Sequence, residues 1–417
     1  MKRILVAFLC LLACTSYAQT IKTDVVVFGG NAAGIAAAIQ AARSGVKTLL
    51  VEETGKLGGN IVPSSKAFEG GLWSEFLKKT RAAKKDSNAQ PDAVSTPTVL
   101  KSWTDSIKNL TVRYNATWSR IEKSGRGWEI KLQDKATIKA NVAIDALPNG
   151  ILAVTAGVFM DPKTKLPRTI IQPVPLTKPY ESQLYRTSVA IGTDTKTGES
   201  YMVPLGALMA GGGVDNFFVI GKFAANQSSA DAMFTGQAAG AGASYFAFFD
   251  ESTKNMALTM RTRQIQSELF SYKSWMVPYA DIKFSDPNFQ VIQYTGLTGV
   301  LKPVQVNGAF YFKPDTTVSS EEIRPVIRQY YSRSQIWFAD KKIEKFTFGD
   351  MVSLIKYTAV RGNELDKELQ KNWKEVFNFS GTYDLTRVIT RREFAILLQY
   401  YMKPYEVRVN LNGNLGS

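Results

Sequence analysis

The chain has 417 residues, 45% of them hydrophobic and 21% charged, and a formal net charge of +15 from 51 Lys plus Arg against 36 Asp plus Glu. That length holds two or three domains, and that composition excludes a disordered chain. Histidine is absent and the two cysteines are Cys10 and Cys14, which removes His general bases, Ser-His and Cys-His nucleophiles and His metal sites together. The basic residues are scattered as pairs and isolated arginines, without a stripe or a finger motif. A solvated basic surface facing anionic glycan or lipid is therefore expected, with no nucleic-acid partner.

Residues 1–18 read as a secretory signal: Lys2-Arg3, the apolar run Ile4 to Ala13, then Ser16-Tyr17-Ala18 before Gln19. The run is too short to stay in a bilayer as a span. Cleavage after Ala18 leaves no thiol in the mature chain. Leu11-Leu12-Ala13-Cys14 also reads as a lipobox, which would anchor a lipoprotein through Cys14. Both readings export the protein to the periplasm, the cell surface or the medium, and no later stretch reads as a transmembrane span.

Asp24 to Glu52 carries the main signal. Four apolar residues, Val25 to Phe28, lead into the turn Gly29-Gly30-Asn31-Ala32-Ala33-Gly34; an alanine-rich run to Arg43 follows, Gly45 stops it, and a second apolar run, Val46 to Val51, ends on Glu52-Glu53. This strand, helix, strand order is that of a dinucleotide-binding unit, in which a turn of small residues lets backbone N–H groups and a helix N-terminus approach a pyrophosphate. Glu52 lies 23 positions past Gly29, close to the ~20 expected of a carboxylate that binds a ribose hydroxyl. Asn31 stands where a second Gly is usual, and Asn tolerates positive φ better than other side chains. The loop Thr54 to Asn60 adds Gly58-Gly59-Asn60, a second backbone segment at a distance suited to the phosphates; a plain turn reads the same way.

Ala67 to Ala83 reads as an amphipathic helix, Lys84 to Thr98 as a polar connector and Thr98 to Ile107 as a helix. Leu110 to Ser119 and Trp128 to Leu132 alternate as strands about the turn Lys123 to Gly127, an inserted β-meander, before a buried strand ends on Asp145-Ala146. Five prolines break the pattern between Ile151 and Tyr201, the stretch expected to form a small cap over substrate. Phe217 to Lys222 is another strand-to-Gly step. Ala232 to Phe249 is a helix rich in small residues, which suit either close approach to a ligand or tight helix-on-sheet packing.

In this series the chain resembles a bacterial group of often exported FAD-dependent oxidoreductases, some of which have carried a xanthan-lyase label. The likeness runs from about residue 22 to 250: the Gly29–Gly34 turn, Glu52, Leu57-Gly58-Gly59, Gly70-Gly71 with Glu75-Phe76-Leu77, Ile144-Asp145-Ala146, Val203-Pro204, Val214-Asp215-Asn216, Gly221, and Gly236-Gln237-Ala238-Ala239-Gly240. The resemblance implies FAD as cofactor. It puts the ADP half on Gly29, Gly30, Asn31, Ala32, Ala33, Gly34, Glu52 and Glu53, Asp145-Ala146 beside the pyrophosphate or adenine, and Gly221 to Gln237, with Ala238, near the flavin. The chain departs from the group in a shorter insert after Asp145 and in Leu147-Pro148-Asn149-Gly150, where a Thr and an acidic step are usual. Without His or a mature Cys, FAD would bind noncovalently or through a rarer residue. Lys222, Asn226, Gln227 and Gln237 are polar candidates near the ring, and none is singled out as catalytic.

Beyond about residue 280 a unit repeats. Val318-Ser-Ser-Glu-Glu-Ile, Phe346-Thr-Phe-Gly-Asp-Met and Ile389-Thr-Arg-Arg-Glu-Phe share a helix-start grammar in which Ser319, Thr347 or Thr390 and the acid three places on, Glu322, Asp350 or Glu393, cap each other. These copies resemble surface-layer-homology repeats, which implies attachment to cell-wall or surface glycan with Arg391 as an anion contact; a helical module that merely packs on the flavin domain is the alternative.

The fold class expected is α/β: a Rossmann-like FAD-binding domain over 22–250 with an inserted β-meander and a reduced cap over about 151–201, a connector over 251–282, a helical repeat domain over 283–405 and a tail over 406–417. The function expected is that of an exported oxidoreductase with noncovalent FAD and a small-molecule or glycan-derived substrate; the alternative is a surface-binding or scaffolding protein whose flavin fold has lost turnover. No metal site is expected.

Overall fold

The computed structural model describes residues 19–59, 61, 69–256 and 262–415. The signal and lipobox residues, among them Cys10 and Cys14, and Asn60 lie outside them. Strand β1 (Thr20–Phe28), helix α1 (Ala32–Arg43) and strand β2 (Thr48–Val51) form the expected opening unit. Helices α2 (Gly71–Lys84) and α3 (Thr96–Asp105) then lead to strand β3 (Leu110–Arg113), which pairs parallel with β2. Leu110 to Arg113 is thus the edge of the parallel sheet and not the first strand of a meander. The hairpin β4 (Trp118–Ser124) and β5 (Gly127–Leu132) follows, and then β6 (Thr137–Asp145).

β6 organises the sheet. Along one edge it pairs parallel with the whole of β1; along the other its first half takes β5 antiparallel and its last three residues take β10 (Phe217–Val219) parallel. Alternation on β1 divides the core: Val25 and Val27 face α1 and the long helix α4 (Ser229–Phe248), while Val26 and Phe28 face a second cluster with Ile121, Trp128 and Ile130 of the hairpin. The sheet is mixed α/β with its parallel part of Rossmann type.

The small residues of α4 pack on another helix as well as on the sheet, where Gly242 lies against Phe218 of β10. Added methyl groups at Gly236 and Gly240 would overlap the carbonyl oxygens of Ala33 and Ala37 on α1. Glycine therefore sets the separation of the two helices. α4 also starts three residues earlier than its apolar pattern indicates, because Ser228 accepts from the Asp231 N–H and caps it.

The stretch expected as a cap contains order that its prolines conceal. β7 (Val174–Pro175), β8 (Ser188–Thr193) and β9 (Ser200–Pro204) form a three-stranded antiparallel sheet in the order β7-β9-β8. Residues 262–282, expected as connector, carry helix α5 (Thr262–Ser271) and bury Ile265, Leu269, Phe270, Trp275 and Met276. One apolar core continues through them into helices α6 (Phe289–Thr298), α7 (Ser320–Tyr330), α8 (Phe348–Thr358), α9 (Glu364–Glu375) and α10 (Arg391–Leu397). Among the described residues no helix is long and apolar enough to cross a membrane.

The three helix starts read from the repeat are observed at Ser320, Phe348 and Arg391, each preceded by a fully buried Val318, Phe346 or Ile389. Their lead-in segments join in a ring: Phe346 donates its N–H to Val318 O, Ile389 donates to Phe346 O, and Thr317 bridges Thr390. Reciprocal capping closes at Thr347 with Asp350 and at Thr390 with Glu393. It fails at Ser319, because the Glu322 carboxylate pairs instead with Arg391. Arg391 is 3% exposed and its remaining donors reach the carbonyls of Phe312 and Lys302. It is an internal tie between the starts of α7 and α10, not a free anion contact.

Candidate active site at the strand ends

Register brings the predicted positions to one level. Val51 pairs with Phe28, Phe28 with Asp145 and Asp145 with Val219, so the carboxyl ends of β2, β1, β6 and β10 lie in a row. The residues just beyond, Glu52, Gly29, Ala146 and, one step further on, Gly221, therefore share one rim of the sheet. The strand order reverses direction between β1 and β6, the place where parallel α/β sheets bind ligands.

Gly29 turns the chain at φ +104°, and a methyl group there would sit 3.1 Å from the Ala146 backbone. At Gly34 the same group would overlap Gly29 O, so the first turn of α1 rests directly on the loop. Asn31 has φ −83°, extended and not left-handed. Its value lies in capping: Oδ1 accepts from Gly34 N–H at 3.1 Å while Nδ2 donates to Ala146 O at 2.6 Å, which ties α1 to the end of β6. The N–H groups of Ala32 and Ala33 have no acceptor among the described residues. They are the donors that a helix N-terminus offers to an anion.

Glu52 is 9% exposed and its carboxylate braces the turn, accepting from Gly30 N–H at 2.6 Å, Thr54 N–H at 2.7 Å and Thr54 Oγ at 2.6 Å. A carboxylate offers about four acceptor positions, so room remains for a ribose hydroxyl. Gly58 donates its N–H to Gly30 O at 2.7 Å and so joins the same turn; Glu53 and Gly59 are exposed beside it. The donors, the cradle of small residues and the flanking acid fit an adenine dinucleotide.

Asp145 is fully buried and accepts from Leu147 N–H at 2.9 Å and Ala153 N–H at 2.8 Å, which fixes the bend that carries Ala146. Burial pushes its carboxyl up to about 7. A carboxyl raised above its unfolded value of ~3.9 stabilises the fold fully below about pH 4 and loses that contribution as pH rises to about 7, on the order of 4 kcal/mol. Asp145→Asn cannot ionise. We expect its thermal stability to lie furthest below wild type at about pH 4 and the gap to shrink steadily to about pH 7, measured on cofactor-free protein; a gap constant with pH contradicts the assignment.

Gln237 and Ala238 sit apart from the rim, two turns into α4 and fully buried. The Gln237 amide accepts from Leu72 N–H at 3.1 Å and donates to Gln40 Oε1 at 3.0 Å, joining α2 to α1. Gly221 is on the rim, against Leu147 O. Beyond it lies a polar cluster beside β9 and the start of α4, of which the sequence singled out Gln227 but not Tyr201 or Asp231. Gln227 donates to Tyr201 Oη at 3.0 Å and to Thr235 Oγ at 2.9 Å, the Tyr201 ring stacks on Phe223 at 6.3 Å, and Asp231, held up at about 6 by burial, lies in the first turn of α4. The Ser228-x-x-Asp231 spacing was the available signal for Asp231; nothing local points to Tyr201.

Residues 24–174 match the family model described as FAD dependent oxidoreductase. The match names the cofactor, FAD, and the class, oxidoreductase, on the segment that builds the turn, Glu52 and the end of β6. Similar solved structures include an L-proline dehydrogenase from P. horikoshii (18% identity over 31% of this chain and 23% of that one, TM-score 0.21). A bacillithiol disulfide reductase from Staphylococcus aureus (18%, 30% and 38%, 0.22) and a thioredoxin reductase from T. acidophilum (23%, 30% and 34%, 0.19) are similar to the same extent. The chain spans well under half the length of each. No curated protein matches.

Proposed function

We propose that the chain is an exported oxidoreductase that holds FAD noncovalently and acts on a small-molecule or glycan-derived alcohol or amine, with its C-terminal helices seating it on cell-wall or surface glycan in the manner of surface-layer-homology repeats. The observation that carries the reading is the single rim on which Gly29, Glu52, Ala146 and Gly221 meet, with the Ala32 and Ala33 N–H groups pointing out of α1. FAD, when bound, supplies the two-electron acceptor. The backbone from Gly29 to Gly34 and the start of α1 hold the pyrophosphate, and Glu52 orients the adenosine ribose. The β7-β9-β8 sheet with Tyr201, Gln227 and Asp231 bounds the flavin side, where Asp231 is a buried carboxyl able to exchange a proton near neutrality. The absence of His and the confinement of Cys to residues 10 and 14 remove the two common covalent attachments and support noncovalent binding over a link through a rarer residue.

The reading as a scaffold without turnover draws on Asp145 and Gln237, whose polar atoms are engaged inside the protein. Anaerobic mixing of the FAD-loaded protein with a panel of sugars, alcohols and amines separates the two. Bleaching of the flavin spectrum by a member of the panel supports the oxidoreductase; a flavin that dithionite reduces but no member of so broad a panel does favours the scaffold.

A further inference from the structure

Three residues past the end of β10 stands Lys222, 9% exposed. Its ammonium nitrogen donates to Thr169 Oγ at 2.8 Å and lies 4.8 Å from the centre of the Phe223 ring. The Thr169 hydroxyl passes its own proton to Ile171 O at 2.9 Å, so it serves the lysine as a neutral acceptor. Two of the three ammonium N–H positions have no acceptor among the described residues. The charged or titratable groups on the neighbouring elements are Asp145 at the end of β6, Arg168 beside Thr169, Tyr201 on β9 and Asp231 on α4; among the described residues the one hydrogen bond of the ammonium goes to Thr169 and no neighbouring charge acts on it. A buried, unpaired ammonium is rare because desolvation costs several kcal/mol that a hydroxyl does not return.

Position says which ligand relieves it. β10 lies two strands from β1, about 10 Å across the sheet, on the side of the switch point opposite Glu52 and β2. Glu52 marks the adenosine end, so Lys222 marks the flavin end. The geometry points to Lys222 as the counter-charge for the flavin half of FAD, its ammonium paired with an anionic oxygen of the ribityl-side phosphate or with the pyrimidine edge of the ring. The inference rests on the reading of the rim as an FAD site.

The consequence is proton uptake. Burial alone brings the free side chain down to about 7, and contact with an anion raises it again, so a neutral lysine takes a proton as FAD enters. Titration calorimetry of the cofactor-free full-length protein with FAD at about pH 8, in buffers of different ionisation heat, measures it. The expected result is uptake of about one proton per FAD and an affinity that falls up to about tenfold per pH unit above about 7. Lys222→Met should bind without that uptake and about 10- to 100-fold more weakly at about pH 6.5, whereas Lys222→Arg, charged throughout, should bind tightly without uptake. Asp145 also titrates near 7, which makes the Lys222→Met comparison decisive. FAD binding to wild type without proton uptake, or uptake undiminished in Lys222→Met, overturns the inference; failure of wild type to bind FAD overturns the FAD reading itself. Uptake with ADP as well as FAD identifies the phosphate as the partner, and uptake with FAD alone, joined to a lower midpoint potential in Lys222→Met, identifies the ring.

Discussion

Gly34→Ala is expected to lose FAD at least about 100-fold while keeping the fold. The added methyl group overlaps Gly29 O and approaches the Ala146 side chain at 3.1 Å, so α1 must retreat from the turn that it crowns. Overpacking of this kind costs ~1–3 kcal/mol of stability, which a core of this extent absorbs. Binding suffers more, because the Ala32 and Ala33 N–H groups move together and each charge-assisted hydrogen bond to a phosphate is worth ~1.5–3 kcal/mol. Equilibrium titration by quenching of flavin fluorescence reads the loss. Retention of wild-type affinity would mean that the phosphates lie elsewhere.

Arg391→Ala is expected to lower the unfolding free energy by ~2–4 kcal/mol, the upper part of the range for losing a buried guanidinium from a partly buried ion pair and from two carbonyls. The guanidinium joins Glu322 and the carbonyls of Phe312 and Lys302, so one deletion leaves a carboxylate and two carbonyls short of donors between the starts of α7 and α10. Chemical denaturation should show the midpoint falling with FAD affinity unchanged when measured well below it. Were Arg391 an exposed anion contact, its removal would cost under about 1 kcal/mol, which makes the stability measurement a direct test of its burial.

The opening unit was legible because its chemistry is local: apolar runs of strand length, a helix of Ala and Ile, and Gly where a turn must close. Helix starts in the last third were legible for the same reason, since a cap and its partner lie three residues apart. The role of Asn31 was misread through a property of Asn that the site does not use; tolerance of positive φ and skill at capping belong to the same side chain, and only the observed φ of −83° separates them. Leu110 to Arg113 alternates like any half-buried strand, and pairing with β2 is a long-range choice that alternation does not encode. Gln237 and Arg391 sit in motifs that suggest ligands, yet their partners, Leu72, Gln40 and Glu322, are distant in sequence. The contact of Lys222 with Thr169 spans 53 residues and crosses the proline-rich stretch where local pattern fails.

The most direct test of an FAD site at the strand ends is cofactor content. Protein purified with added FAD, desalted and then heat-denatured should release about one FAD per chain into the supernatant, as a noncovalent site requires, and the Gly34→Ala protein treated alike should release almost none. A colourless wild-type protein that takes up no FAD, or equal release from both proteins, would contradict the account.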